Sequence, residues 1–126
     1  MIVIWGVILY KVPRSFKEIV SLEEQHNVKS MSVSGNLPNG NDNMKIASDK
    51  ILQVLKILND YEYRRCIYGV TVGKGIFMLL NTDSPRRVIF IEVWESGYIR
   101  IPNNEVYKVL NKNNVELFDE ITNLLK

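Results

Sequence analysis

The stretch that decides the fold covers residues 76–101 and reads IFMLLNTDSPRRVIFIEVWESGYIRI. Three runs within it are rich in aliphatic, β-branched and aromatic residues, a composition that favours strands. The segments TDSPRR and ESG between these runs contain residues that commonly form tight turns. Apolar runs joined by such short turns predict strands that pair antiparallel with their neighbours in the sequence.

The same pattern extends on both sides of this stretch. RRCIYGVTV at residues 64–72 leads into the turn GKG at residues 73–75, and EVYKVL at residues 105–110 follows the turn PNN. We therefore predict a hairpin at residues 73–75 that pairs the run before it with the run after it. The whole region from residue 64 to residue 110 is predicted to be an antiparallel β-meander.

Three other segments have the spacing of apolar residues that is typical of amphipathic helices. The first is predicted from Ser15 to Gln25, because Ser15 and Glu18 have the spacing of a capping box. The second, SDKILQVLKILNDYEY, begins at Ser48, and the third, NVELFDEITNLLK, ends the chain. Each carries an apolar stripe that must pack against a sheet or another helix.

The first half of the chain also contains strand patterns. VKSMSVSG at residues 28–35 alternates between apolar and polar residues, which predicts a half-buried strand, and MKIAS is predicted to return beside it. With 126 residues, the chain has the size of one domain. We predict a single α+β domain over residues 1–126, in which an antiparallel β-meander sheet packs against two to three helices. One sheet face takes the helices, and the other face then needs a second cover.

The opening segment MIVIWGVILY, residues 1–10, contains no charged residue. A helix that spans a membrane needs about 20 apolar residues, so this segment is too short to span as written. Two interpretations stay open. Residues 1–12 form a buried β-strand, or they are the remnant of a membrane or signal segment that begins upstream, with residues 13–126 as the α+β body.

Composition and motifs argue against catalysis, metals and cofactors. The chain has one cysteine and one histidine, which excludes an intramolecular disulfide framework and a typical zinc site. The net charge of +2 comes from 16 basic and 14 acidic residues, a balance that does not indicate nucleic-acid binding. GVTVGKG lacks the spacing of a phosphate-binding loop, and NGNDN fails the calcium-loop pattern. We therefore predict no catalytic residues, no cofactor, no metal ligands and no enzymatic activity.

Several aromatic residues and an arginine lie on the predicted meander, and these residue types dominate the energetics of protein interfaces. We predict a protein partner, bound by Tyr68, Trp94, Tyr98, Arg100 and Tyr107.

A resemblance adds to this interpretation. The order SFKEIVSLEEQHNVKSMSVSG, then IASDKILQVLKILNDYEYR, then GYIRIPNNEVYKVLN and a terminal helix resembles small exported or lipoprotein-like α+β domains of Gram-positive bacteria. The resemblance covers residues 15–126 and rests on structural motifs. It implies a non-enzymatic domain with an extracytoplasmic or membrane-associated location. The chain departs from that pattern at its front, which has neither a complete signal nor a cysteine that would accept a lipid.

These observations support one principal hypothesis, a non-catalytic protein-binding or accessory domain associated with the cell envelope. The alternative is a small cytosolic inhibitor, such as an immunity protein or a phage-encoded antagonist. A third hypothesis, an enzyme that works through Glu92 and Arg100, requires these two side chains to converge in a cavity.

Overall fold

The computed structural model of the protein describes residues 13–36, 43–66, 73–83, 86–101, 105–110 and 116–125. Within these ranges the helices are α1 (Phe16–Ile19), α2 (Leu22–His26), α3 (Ser48–Asn59) and α4 (Leu117–Leu124). The strands are β1 (Arg14–Ser15), β2 (Val28–Gly35), β3 (Asn43–Lys45), β4 (Glu62–Cys66), β5 (Gly75–Asp83), β6 (Arg86–Trp94), β7 (Tyr98–Ile101) and β8 (Glu105–Leu110). The chain is therefore an α+β protein, as the sequence predicts.

All eight strands belong to one open sheet with the order β1-β4-β8-β7-β6-β5-β2-β3, and all neighbouring strands run antiparallel. Strands β5 to β8 are consecutive neighbours, so the predicted meander is confirmed for this part of the sheet. The predicted pairing of β2 with a short return strand is also confirmed, because β3 lies beside β2.

The predicted hairpin between β4 and β5 is wrong. Strand β4 pairs with β8, and β5 lies between β6 and β2, so both edges of β5 are already occupied. Gly73 does have the positive φ of a turn residue, at 87°. Turn chemistry sets the local direction of the chain, whereas the choice of strand partner depends on contacts that are distant in sequence.

The predicted helix from Ser15 to Gln25 is broken into α1 and α2, so the described residues contain four helices rather than two or three. Val20 lies between them in an extended conformation, with φ of −121° and ψ of 112°. Ser21 caps α2, since its Oγ accepts a hydrogen bond of 3.2 Å from the backbone N–H of Glu24. At the predicted capping box, the Ser15 hydroxyl makes no bond to the helix backbone and instead donates to the Glu18 carboxylate, 3.2 Å away.

The core lies between the helices and one face of the sheet, which we call the inner face. Alternating residues of the strands point into it, as the period of two in a strand requires. Phe16 of α1, Leu58 of α3 and Ile121 of α4 are fully buried in the same cluster. The strand residues of the cluster include Met31, Val33, Tyr63, Ile76, Met78, Leu80, Ile89, Ile91, Val93, Ile99, Ile101, Tyr107 and Val109.

The interpretations of residues 1–12 as a strand or as a membrane remnant lie outside the described residues, as does most of the NGNDN segment. Among the helices that the structure describes, none has both the length and the apolar character needed to cross a bilayer.

Candidate functional site: the outer face of the sheet

We call the opposite side of the sheet the outer face. Its residues alternate with the core residues along each strand. Three of its large apolar side chains are well exposed, namely Leu79 at 40%, Val88 at 61% and Phe90 at 39%. They lie on β5 and β6, which occupy interior positions of the sheet, so the exposed apolar surface is at the middle of this face rather than at an edge.

Three aromatic rings form a connected cluster on these two strands. Phe77 of β5 stacks on Phe90 of β6, with ring centroids 6.3 Å apart and an interplanar angle of 11°. Phe77 also meets Trp94 edge to face, at 5.6 Å and 84°. This geometry follows from the register, because Phe77 lies opposite Glu92 and therefore diagonal to both rings. Aromatic pairs of this kind contribute about 1 kcal/mol each beyond the area that they bury.

Glycine at position 75 makes room for the tryptophan. Gly75 and Trp94 are cross-strand partners, and a Cβ on Gly75 would lie 2.8 Å from Cε3 of the indole. Gly35 on β2 is similarly close-packed, since a Cβ there would lie 2.5 Å from the carbonyl oxygen of Gly75. The aromatic cluster therefore rests on a backbone surface that contains no side chain at these two points.

Glu92 is the most buried acid on the outer face, with 8% exposure. Its Oε1 accepts a hydrogen bond of 3.2 Å from the Trp94 indole N–H, and its Oε2 lies 3.6 Å from Nη1 of Arg100, its cross-strand partner on β7. Both oxygens are thus engaged, and the carboxylate holds the indole and the guanidinium in place. The arrangement is that of a structural ion pair, and it fixes the orientation of two predicted anchor residues.

Beyond β7, the outer face becomes basic. Tyr98 of β7 lies opposite Lys108 of β8, and Lys108 lies opposite Arg64 of β4. Lys108 is exposed, while Arg64 and Tyr98 are half-buried. Among the described residues, neither cation has a carboxylate within salt-bridge distance. We call Arg64, Lys108 and Tyr98 the basic row.

The predicted anchors are distributed unequally. Trp94, Tyr98 and Arg100 lie together on the outer face and are partly exposed. Tyr107 lies on the inner face with 1% exposure, opposite Ile99, because it is one residue out of phase with Lys108. Its hydroxyl donates to Glu105 Oε2 at 2.8 Å, and burial together with this acceptor raises its pKa. We therefore leave Tyr107 out of the proposed surface, and Tyr68 lies outside the described residues.

Phe77, Phe90 and Val88 were not among the predicted surface residues. Apolar residues on both faces of these strands indicated a second sheet face that needs a cover, but not which of its residues are exposed. The basic row was not predictable, because Arg64 was assigned to a strand beside β5 and not beside β8.

Two surface cavities lie away from the outer face. One, of about 280 Å³, is formed by α2, β2 and α3 and includes His26 and Leu52 in its lining. The other, of about 250 Å³, contains the Glu24–Arg87 salt bridge of 2.8 Å. Neither cavity is lined by Glu92 or Arg100, so these cavities lend no support to the hypothesis of an enzyme that uses this pair. Within the described ranges, His, Cys, Asp and Glu side chains form no group of three that could hold a metal ion.

Comparisons with protein-family models, with curated proteins and with solved structures find no match to this chain.

Proposed function

We propose that the protein is a non-catalytic binding domain that engages a protein partner through the outer face of its sheet. The observation that carries the proposal is the exposure of Leu79, Val88 and Phe90 at the middle of a sheet whose inner face is packed with helices. Contiguous exposed apolar surface of this kind marks interaction sites in soluble domains.

The chemistry of the face suits a protein partner. Large aromatic side chains and arginine are enriched in the energetic centres of protein interfaces, and Trp94, Tyr98 and Arg100 lie beside the apolar residues. A broad sheet face also differs from the concave pockets that usually take small molecules.

The face is also preorganised. Trp94 is held by the Glu92 carboxylate and by the edge of Phe77, and Arg100 is held by the other oxygen of Glu92. Side chains that are already fixed lose less conformational entropy on binding, so more of the contact energy appears as affinity.

The proposal that this domain works at the cell envelope rests on the apolar sequence of residues 1–10 and on the resemblance to exported domains. Fractionation of cells that express the protein from its own gene tests it. We expect the protein in the membrane or extracytoplasmic fraction. A wholly soluble cytosolic pool would contradict the envelope proposal and favour the cytosolic inhibitor.

Site-specific photocrosslinking in the native cells tests the binding surface. A photoreactive phenylalanine analogue is placed at Val88, which is 61% exposed on the outer face, and in a second variant at Leu52, which is 69% exposed on α3. The two positions match in apolar character and exposure and differ in the surface that they probe. We expect an adduct with one second protein from position 88, and no such adduct from position 52.

A further variant serves as a control for this experiment. Phe90→Ser should abolish the adduct from position 88, because it removes the neighbouring ring of the face. Equal adducts from positions 88 and 52, no adduct at position 88, or an adduct only with a second copy of the chain would each overturn the proposal.

A further inference from the structure

We propose that the partner presents an acidic segment, whose carboxylates pair with Arg64 and Lys108 while an adjacent apolar side chain packs on Tyr98 and Trp94. This inference rests on the proposed function, and it specifies the chemistry of the partner.

Arg64 and Lys108 form a like-charged pair across two strands. Lys108 lies directly opposite Arg64 in the β4–β8 register, and both side chains point to the outer face. Directly opposite like charges destabilise an antiparallel pair. A stable sheet gains nothing from this arrangement, so the pair is explained better by a ligand than by folding.

Neighbouring cations of the sheet, in contrast, have carboxylate partners. Arg65, the next residue on β4, has its Nη1 at 3.6 Å from Glu105, and Arg100 on β7 has Glu92 at the same distance. Glu62 is the acid closest to Arg64 along the outer face of β4, but it lies opposite Leu110, and no salt bridge joins Glu62 to Arg64 within the described part of the chain. Two carboxylates from a partner would supply the negative charges that the described residues do not place beside Arg64 and Lys108.

The two cations are continuous with the aromatic part of the outer face. Tyr98 is the other cross-strand neighbour of Lys108, and Trp94 stands on the far side of the turn at residues 95–97. With strands about 4.8 Å apart, Arg64 and Tyr98 are separated by roughly 10 Å across the sheet. This length fits a few residues of an extended polypeptide whose acidic and apolar side chains fall on the same side.

The mixed charge of the face favours a polypeptide over a phosphate-rich surface. Glu62 is exposed on the same face as the cations, and its carboxylate would repel the closely spaced phosphates of nucleic acid or of an anionic membrane. A polypeptide can place its acids on the cations and keep them away from Glu62.

Fluorescence anisotropy with a labelled synthetic peptide tests the inference. In the probe, glutamate at two alternate positions is followed at the next alternate position by leucine or tyrosine, with serine at the positions between, so that the acidic and apolar side chains share one side of an extended chain. In its matched control every glutamate is replaced by glutamine. We expect the acidic peptide to bind the intact protein, with an affinity that falls as salt is added, because screening weakens exposed charge pairs. The glutamine peptide should not bind measurably.

Substitutions then separate the binding role from a structural one. Lys108→Gln and Arg64→Gln should each weaken peptide binding about tenfold, whereas Lys56→Gln, at an exposed site on α3, should leave it unchanged. The Tm of the Lys108→Gln variant should equal or exceed that of the wild type, because the substitution relieves like-charge repulsion. A drop in Tm that accounts for the lost binding would overturn the inference.

Failure of this inference is distinguishable from failure of the proposed function. A photoreactive analogue at Tyr98 should crosslink to a segment of the partner that is rich in Asp and Glu when the adduct is sequenced. If position 88 crosslinks to a partner but this segment lacks acids, the inference is wrong and the proposed function stands. Equal binding of the two peptides, or tighter binding of phosphatidylglycerol vesicles than of the acidic peptide, would also overturn the inference.

Discussion

Trp94 lies over Gly75, its cross-strand partner, so closely that a Cβ on the glycine would stand 2.8 Å from the indole ring. The indole also donates to Glu92 and meets Phe77 edge to face. The position of Trp94 on the outer face is therefore determined by three neighbours on two strands. The shape of the proposed binding surface therefore depends on the absence of a side chain at position 75.

We expect Gly75→Ala to destabilise the protein by about 1–3 kcal/mol, because the new methyl group overpacks against a rigid ring. Urea unfolding followed by circular dichroism measures the effect. The control is the double variant Gly75→Ala/Trp94→Ala, in which the ring is absent. The cost of Gly75→Ala in the Trp94→Ala background should be much smaller, and an equal cost in both backgrounds would show that the contact is not its cause.

Ser21 and Ser15 offer a matched comparison of helix caps, since each precedes a glutamate by three residues. Ser21→Ala should lower the free energy of unfolding by about 1 kcal/mol, because it removes the acceptor for the Glu24 N–H. Ser15→Ala should cost less, since within the described ranges the Ser15 side chain bonds to the exposed Glu18 carboxylate and not to the helix backbone. Chemical denaturation of both variants tests this order, and a larger loss for Ser15→Ala would contradict it.

We expect ionisation of the buried Tyr63 hydroxyl to destabilise the protein at alkaline pH. Its hydroxyl donates a 2.6 Å hydrogen bond to the carbonyl of Leu58 in the last turn of α3, and burial raises its pKa above the ordinary value. The folded protein holds this proton more tightly than the unfolded chain does. The contribution of the Tyr63 hydroxyl to the free energy of unfolding is therefore fully present below about pH 10 and is lost as the pH rises above it. The pKa values of Tyr61 and Tyr107 are also raised, so they act in the same direction.

The measurement is the urea midpoint at pH values on either side of about 10. The wild-type midpoint should fall on the alkaline side, and that of Tyr63→Phe should fall less steeply, since phenylalanine has no proton to lose. Tyr63→Phe should also be less stable near neutral pH by about 1 kcal/mol, because the Leu58 carbonyl loses its donor. Parallel pH profiles for the two proteins would argue against a role for Tyr63.

Phe90→Ser separates binding from folding on the outer face. The Phe90 side chain is 39% exposed, and its ring stacks on that of Phe77. Its removal should therefore lower the free energy of unfolding by about 1–2 kcal/mol. Partner crosslinking from position 88 should be lost while the circular dichroism spectrum stays that of a folded protein. Leu52→Ser on α3 is the control, and it should preserve crosslinking. Retention of the adduct by Phe90→Ser would remove this ring from the proposed surface.

Local patterns in the sequence were sufficient for several elements. The alternation of VKSMSVSG predicted β2, and the short turns after β5, β6 and β7 predicted the consecutive pairing of β5 to β8. The apolar stripe from Ile51 to Leu58 predicted α3. These predictions succeeded because side-chain periodicity and turn residues act over a few neighbouring positions. The break at Val20 was missed, although Ser21 and Glu24 carry the same capping pattern as Ser15 and Glu18.

By itself, the sequence determined an α+β chain, the approximate limits of most strands, and the choice of Trp94, Tyr98 and Arg100 as surface candidates. Only the tertiary structure decided that β4 lies beside β8, which brings Arg64 to Lys108, and that Tyr107 faces the helices while its neighbour Lys108 faces outward. The physical reason is that alternation along a strand is a local property. Which strands become partners, and which face of the sheet receives the helices, is decided by the packing of residues far apart in the sequence.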